Sequence, residues 1–419
     1  MPNLLYVCLD GLGDDPNPAL DGRTPLEAAA TPTLDGLAAR GRSGTVVTVG
    51  PGIAPESDIA VFAILGYDPT EEHPGRGVVE AIGEDIPFAD GDLAYRVNFA
   101  TADWPRIVDR RVGRDLTSED SRALAEEVNA TLRLEGATFE LRATVEHRGV
   151  LVIRPEGGRL SAAVSNTDPA YRKEGSLGVA LETFDDAVVT ATPLDSSPEA
   201  ERSAALTNAF VEGSARILDR SAVNVRRRDA GKLAGNVILT RDGGDTVPRL
   251  QPIRDRFGFG WACFVEMPVE RGIAKVLGMQ AIDVPRLAGA EEYAEWAARS
   301  AEALEEHQAL YVHLKGPDVP AHDGRAADKR AVIELIDRAF FAEVVPRLDL
   351  RRTVVAVTAD HATSCVRKAH TADPVPLLVA GAGVAPDGVE TFGERAAAAG
   401  SLGALRGVEI LPGLRDLLA

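Results

Sequence analysis

The chain has 419 residues, 64 of them acidic and 45 basic, for a net charge of −19. That length exceeds one ordinary core and predicts about two domains, while the charge excludes nucleic acid and anionic membranes as electrostatic partners. Apolar residues make up 45% of the chain and no apolar run approaches the ~20 residues of a membrane span, so the composition is that of a soluble globular protein.

The opening Met1-Pro2-Asn3-Leu4-Leu5-Tyr6 has no basic flank and no small-residue cleavage site. It reads as the start of a buried strand, Leu4 to Leu9, and a cytoplasmic location is expected. Thr45 to Val49 is a second apolar run. From about Asp90 to Leu181 the pattern changes to shorter alternating strands; Thr138 to Val145 and Val150 to Ile153 flank His147-Arg148-Gly149 as a hairpin. Beyond it, Glu291 to His307 and Ala331 to Val345 have helical periodicity. Their expected buried faces carry Ala294, Ala297, Ala298, Ala301 and Leu304 in the first, and Leu335, Ile336, Ala339 and Phe340 in the second. These helices alternate with the buried strands Ala309 to Leu314, Thr353 to Thr358 and Val375 to Ala380. Such alternation predicts a parallel α/β sheet covered on both faces. The fold class expected is thus an α/β core, residues 1–89 and 186–419, with a smaller α+β domain inserted at 90–185. Cys8, Cys263 and Cys365 are odd in number and far apart, which excludes a disulfide framework and reads as small buried hydrophobes in a reducing compartment.

Ligands of open α/β sheets bind beyond the carboxyl ends of strands. Asp10-Gly11-Leu12-Gly13-Asp14 follows the first strand, Lys315 to Gly324 follows Leu314, and Asp360-His361 follows Thr358, with His370 shortly after. Three strand ends therefore deliver Asp and His, ligands for hard or borderline divalent metals, and they use three of only seven histidines. Asp318 and His322 are four apart, so one helical turn puts both on one face. Asp360 and His361 are adjacent and serve one metal only if the chain turns there. Ser57 stands where a loop gives way to an apolar helical run. It reads as a helix N-cap or as a nucleophile at a phosphate-binding helix start, two readings compatible in position.

These residues resemble the alkaline phosphatase superfamily. Ser57-Asp58-Ile59-Ala60, Leu65-Gly66-Tyr67-Asp68-Pro69, Gly75-Arg76-Gly77, Asn98-Phe99-Ala100-Thr101, Asp109-Arg110-Arg111, Gly113-Arg114, Glu146-His147-Arg148, Asn166-Thr167-Asp168-Pro169, Gly272-Ile273-Ala274-Lys275 and His370-Thr371-Ala372-Asp373-Pro374 resemble its archaeal-type cofactor-independent phosphoglycerate mutases. The matches run through nearly the whole chain. The resemblance implies a three-layer α/β/α core of alkaline-phosphatase type and two divalent ions, Mn²⁺ or Mg²⁺, with Zn²⁺ or Co²⁺ as substitutes. It implies that Asp318, His322 and His370 hold one ion and Asp10, Ser57, Asp360 and His361 the other, with Ser57 also the nucleophile. The implied reaction interconverts 3- and 2-phosphoglycerate through a phosphoserine, the insert serving as substrate-binding lid.

The cluster Arg110, Arg111 and Arg114 is then either a carboxylate- and phosphate-binding set or a salt-bridged hairpin, and His147 a proton relay. Three places depart from the family pattern, Val61-Phe62, Asn166 with Ala170, and Gly316; none removes an implied metal ligand, and the first two bear on substrate contacts. The alternatives are a phosphatase, or a homoserine-kinase-like phosphotransferase without a P-loop, on the same scaffold. The expected partner is a small-molecule phosphoglycerate, with neither nucleic acid nor membrane; oligomeric state is not read from the sequence.

Overall fold

Strands that are apolar along their whole length need cover on both faces, and the computed structural model gives it. The structure describes residues 2–418 apart from 176 and 182. Residues 1 and 419, the limits of the expected core, lie outside the described residues, as do 176 and 182 of the expected insert. In chain order the strands are β1 (Asn3–Leu9), β2 (Gly41–Val47), β3 (Leu93–Asp103), β4 (Arg106–Asp109), β5 (Ala137–Ala143), β6 (Arg148–Pro155), β7 (Tyr171–Glu174), β8 (Leu177–Ala180) and β9 (Val237–Gly244). They continue as β10 (Trp261–Val265), β11 (Gln280–Asp283), β12 (Ala309–Leu314), β13 (Thr353–Thr358), β14 (Ala362–Ser364), β15 (Ala369–Thr371), β16 (Val375–Gly381) and β17 (Gly403–Arg406). The helices that matter below are α1 (Pro32–Ala38), α2 (Ser57–Ile64), α3 (Arg76–Gly83), α4 (Ser118–Thr131), α5 (Pro198–Leu218), α6 (Ala290–Glu306), α7 (Asp318–His322) and α8 (Ala326–Ile336). The chain divides into two compact units, Met1–Glu71 with Leu250–Glu266 and Leu277–Ala419, and Glu72–Arg249 with Met267–Val276.

The first unit is built on an eight-stranded sheet of order β11-β10-β12-β1-β13-β16-β2-β17. Every residue of β12 and β13 is buried, as is all of β1 except Asn3. The expectation of a parallel sheet needs one correction. β16 runs antiparallel to both β13 and β2, because the chain returns from Thr358 through the β14–β15 hairpin with no helix between, and a parallel crossover needs one. The α6 face is also rotated from the expected one. Tyr293, Trp296, Ala297, Ser300 and Leu304 are buried, while Ala294, Ala298 and Ala301 are only partly so; the aromatic rings remove more apolar surface from water than alanines do. The second expected helix starts earlier, at Ala326, and passes into a π-helical turn at Asp337–Phe341. There the buried Asp337 carboxylate accepts the Thr33 and Leu34 amides at 3.2 and 2.8 Å and so caps α1.

Thr24 caps the short helix Pro25–Ala28, and its hydroxyl donates to Glu394 Oε2 at 2.7 Å. Burial lifts Glu394 to about 7, and its Oε1 has no hydrogen-bond partner. A raised carboxyl pKa stabilises the fold while the group stays protonated; that contribution is complete below the unfolded value near 4.5 and is lost as pH rises through about 7. Glu394→Gln is therefore expected to raise the melting temperature above wild type at pH 8 by up to about 3 kcal/mol of stability, and to leave it unchanged at pH 4. Parallel melting curves at the two pH values check this.

The second unit is a five-stranded antiparallel sheet, β4-β3-β6-β5 with β9 also on β3. The hairpin read from the sequence is β5–β6, in register from Ala137↔Pro155 to Ala143↔Gly149. The unit is larger than the expected insert at 90–185. β9 completes its sheet, and α5 contributes Phe210, Val211 and Leu218 to its core. On the N-terminal side, Val78 and Ala81 of α3 pack with Ala94, Val150 and Val152. Gly77 permits that packing, since a Cβ there would lie 2.4 Å from the Ala94 carbonyl oxygen.

Candidate active site

In the first unit β12, β1 and β13 are parallel neighbours, with Leu9 opposite Leu314 and Cys8 opposite Thr358. The segments after them therefore leave the sheet at one edge, bringing Asp10, Lys315, Asp318 and Asp360 together. Gly11 takes φ +64°, and a Cβ there would lie 2.7 Å from Thr363 Oγ1 and 2.8 Å from Asp318 Oδ1; only glycine lets this loop close on the others. Asp318 and His322 share one turn of α7, as their spacing predicted, and His322 Nε2 is 3.4 Å from Asp318 Oδ1. The chain turns at Asp360, whose Oδ1 accepts the Gly11 and His361 amides at 3.0 Å each. In the β14–β15 hairpin His370 lies opposite Thr363, and its ring stacks on His361 at 3.7 Å.

Ser57 opens α2, but the N-cap is Glu56, and no side chain caps this helix. Ser57 Oγ instead lies 3.1 Å from His361 Nε2. Of the two readings left open for Ser57, the N-cap is thus overturned.

The hydrogen bonds fix the histidine tautomers. Thr363 Oγ1 donates to Asp318 Oδ1 at 2.7 Å, so it accepts from His361 Nδ1–H at 3.0 Å. His370 Nδ1 faces the Pro55 carbonyl at 2.8 Å and His322 Nδ1 the Lys368 carbonyl at 3.2 Å, and a carbonyl only accepts. All three Nε2 atoms therefore turn toward carboxylates: His361 to Asp360 Oδ2 at 3.3 Å and Asp10 Oδ1 at 3.7 Å, His370 to Asp318 Oδ1 at 3.5 Å. A neutral ring in this tautomer presents a lone pair to a carboxylate oxygen, which is repulsive unless a cation or an extra proton lies between them. Asp10 Oδ1 and Asp360 Oδ2 are moreover buried with no hydrogen-bond partner. Ligand atoms of Asp10, Asp360 and His361 lie within 4.8 Å of one another, as do those of Asp318, His361 and His370. An imidazole fixed through Nδ1–H with Nε2 aimed at carboxylates is the arrangement of a metal ligand, so the residues present fit divalent ions.

Titration follows the same crowding. Burial, with Asp360 and Asp318 nearby, lifts Asp10 to about 6, against the opposing Lys315 charge. Burial depresses His361 to about 4. Burial also disfavours charge on His370, but the Asp318 carboxylate outweighs it and raises that ring to about 9.

Arg110, Arg111 and His147 belong to the second unit. Arg110 is committed to Asp168 by a two-pronged pair, Nε to Oδ1 at 2.9 Å and Nη2 to Oδ2 at 2.7 Å, and lies over the Tyr171 ring. The Arg111 guanidinium, partly buried, has no carboxylate partner among the described residues; its backbone amide holds Asp109. Burial and then Arg148, Arg111 and Arg96 press His147 down to about 3, and His147 Nδ1 is buried without a partner. A neutral imidazole with arginines around it is an electrostatic environment that favours an anion.

Three contributors went unnoticed in the sequence: Thr363, His313 and Lys329. The unbroken apolar run of β12 carried a signal for His313, a lone imidazole in a buried strand. Nothing local marked Lys329, which looks like any solvent-facing helix lysine until the fold buries it.

Residues 38–224 match the family described as 2,3-bisphosphoglycerate-independent phosphoglycerate mutase. The enzyme so named from Aeropyrum pernix is 43% identical over 99% of both chains. That from Methanopyrus kandleri is 38% identical over 99% of this chain and 96% of its own. The chain belongs to this family of isomerases. A cofactor-independent phosphoglycerate mutase from Thermoplasma acidophilum shares the fold over the full length of both chains, at 32% identity and a TM-score of 0.64. A Pyrococcus horikoshii protein of solved structure does so at 30% identity and a TM-score of 0.79, covering 100% and 97%. The family's matched segment takes in Ser57, Arg110, Arg111 and His147, while Asp318, His322, Asp360, His361 and His370 lie beyond it, in the part that only the full-length relatives cover. Among the described residues no helix is long and apolar enough to cross a membrane.

Proposed function

We propose that the chain interconverts 3-phosphoglycerate and 2-phosphoglycerate through a phosphoserine on Ser57, with two divalent ions at the strand ends. The observation that carries this is that three histidine Nε2 atoms face strand-end carboxylates, with the Ser57 hydroxyl 3.1 Å from the Nε2 of His361. Asp10, Ser57, Asp360 and His361 would hold one ion and Asp318, His322 and His370 the other; their donors are oxygen and nitrogen only, which suits Mn²⁺ or Mg²⁺ and admits Zn²⁺ or Co²⁺. Bound ions would neutralise phosphoryl charge and lower the serine hydroxyl pKa.

The chain's own residues supply the rest. The uncapped amides of the first α2 turn receive the phosphoryl oxygens. Ser57 Oγ gives up its proton and forms the new O–P bond as the bond to the 3-oxygen of the substrate breaks, and that glycerate oxygen takes up a proton in exchange. Glycerate turns over, its 2-hydroxyl gives up a proton and takes the phosphoryl group from Ser57, and the hydroxyl of Ser57 is restored. Lys315, 3.5 Å from Asp10 Oδ2, adds positive charge beside the phosphoryl group.

The second unit, as the substrate-holding element, supplies Arg111 for the carboxylate of the glycerate and His147 as the proton relay, with Arg110 held in place by Asp168. His147 is neutral at neutral pH, and its depressed pKa keeps it a weak base until the charge of the arginines is offset. A bound anion offsets the surrounding arginines, so the His147 pKa should rise by a unit or more, on the order of 1.4 kcal/mol, when phosphoglycerate is added; ¹H–¹⁵N spectra of the ring read it, and an unmoved resonance places His147 outside the site. Arg111→Ala should raise KM about 10- to 100-fold, the loss of one charged hydrogen-bonded contact, and increase leakage to free phosphate. Unchanged KM and leakage would remove Arg111 from the reading.

A ³¹P NMR time course with 3-phosphoglycerate and Mn²⁺, free of 2,3-bisphosphoglycerate and ATP, tests the whole. The 2-phosphoglycerate signal with little inorganic phosphate is expected. Inorganic phosphate alone makes the chain a phosphatase.

A further inference from the structure

One layer below the strand-end carboxylates lies a second group of chemically able side chains that the proposed reaction does not use. Cys8 on β1 pairs directly with His313 on β12, and residues two apart on a strand share a face. Cys8 and His313 therefore sit beneath Asp10 and Lys315. The thiol of Cys8, a ring nitrogen of His313 and a carboxylate oxygen of Asp360 lie within 4.8 Å of one another, all buried. His313 Nε2 is 3.5 Å from Asp360 Oδ2; the two side chains are 3% and 0% exposed, and neither atom has a hydrogen-bond partner.

We propose that Cys8, His313 and Asp360 form a site for a thiophilic divalent cation of the Zn²⁺ class, and that filling it withdraws Asp360 from the Asp10–Asp360–His361 set. The binding half stands by itself; the withdrawal half rests on the metal reading under Proposed function.

Thiolate, imidazole and carboxylate are the donors Zn²⁺ and Cd²⁺ take, whereas Mg²⁺ and Mn²⁺ favour oxygen. A dication with one thiolate, one carboxylate and a neutral imidazole sums to zero charge, which lowers the cost of holding it in the interior. On binding, the thiol proton leaves to solvent. His313 Nδ1 accepts from the Lys315 ammonium at 3.3 Å, so the metal-free ring carries its proton on Nε2 toward Asp360. To bind through Nε2 the ring takes the other tautomer, with Lys315 turning to Asp10 Oδ2, 3.5 Å away. Access is from the strand end, where Lys315 and Asp10 are 23% and 13% exposed.

The competition follows from one atom. Asp360 Oδ1 is taken by the Gly11 and His361 amides. Oδ2 faces His361 Nε2 at 3.3 Å on one side and His313 Nε2 at 3.5 Å on the other. An ion drawn to Cys8 claims the oxygen that the Asp10–Asp360–His361 set needs. The soft site is therefore inhibitory.

The test titrates the metal-free full chain with Cd²⁺ in a large excess of Mg²⁺ and follows the ultraviolet thiolate-to-Cd²⁺ absorption. Wild type should develop the band at one equivalent. Cys8→Ser should lose it, and Cys263→Ser and Cys365→Ser should keep it. A band that survives Cys8→Ser, or never forms in wild type, overturns the site. Should Cys8→Ser not fold, X-ray absorption of wild type with one equivalent of Zn²⁺ decides: one sulfur neighbour supports the site, and an all-nitrogen and oxygen shell overturns it. In the ³¹P assay Zn²⁺ should inhibit wild type and spare Cys8→Ser, which turns over normally in Mn²⁺ alone; equal inhibition of both overturns the competition. A chain that shows the cysteine band but no mutase turnover sinks the proposed function and leaves the Cys8 site standing.

Discussion

Ser57→Ala is expected to abolish turnover, by on the order of 10⁴-fold or more, while the protein still binds Mn²⁺ within about tenfold of wild type. The asymmetry follows from the geometry. Among the described residues Ser57 Oγ touches the strand-end set through His361 Nε2, at 3.1 Å, so its loss removes one oxygen and leaves every aspartate and histidine in place. Their positions are held by bonds that do not involve Ser57: Asp360 by two backbone amides, Asp318 and His361 by Thr363, His370 by the Pro55 carbonyl. Two measurements separate the outcomes. Mn²⁺ binding is read from the loss of the free-ion electron paramagnetic resonance signal, and turnover from ³¹P NMR. Activity retained in the variant would rule out the phosphoserine. Loss of both activity and Mn²⁺ binding would make Ser57 a structural support of the metal site and withdraw the claim that its role is nucleophilic.

Lys329→Met should be the most destabilising single change in the first unit, by about 3–5 kcal/mol, a fall in melting temperature of roughly 10 °C or more. Lys329 and Asp14 are wholly buried, and their pair measures 2.9 Å. The same ammonium also donates to the carbonyls of Gly13 at 2.9 Å and Thr363 at 2.8 Å, which saturates it. Removing it leaves one buried carboxylate and two carbonyls short of a donor. For that reason Lys329→Met with Asp14→Leu should recover only part of the loss, since both carbonyls lose the ammonium, Gly13 keeping only the Thr363 amide at 2.9 Å. The carbonyls belong to the loop that carries Asp10 and the hairpin that carries Thr363 and His370, so Mn²⁺ affinity should fall with stability. A melting temperature within 2–3 °C of wild type, on the order of 1 kcal/mol, would show that the pair contributes little.

The strand ends were legible in the sequence because strands buried on both faces are written as unbroken apolar runs, and whatever polar residues follow them must emerge at an edge. Asp318 and His322 were legible for a similar reason, since a spacing of four within one turn leaves little freedom. Ser57 was only half legible. Its position at a helix start was plain, but whether its hydroxyl caps the helix or turns away depends on Glu56 taking the N-cap and on His361, 304 residues distant, standing beside it. The extent of the second unit was missed because β9 joins β3 across more than a hundred residues, a pairing that no local pattern announces.

The sequence by itself determined the core strands, the two-part organisation, the family resemblance and the metal-ligand candidates, because each is encoded in local pattern or in short motifs. Only the tertiary structure decided which nitrogen of each histidine faces the carboxylates, that Arg110 is spent on Asp168 while Arg111 is not, that β16 runs against its neighbours, and that Cys8 and His313 meet beneath Asp360. Those outcomes depend on hydrogen bonds and burial between segments remote in sequence, and a buried polar group is fixed by the partners the fold brings to it.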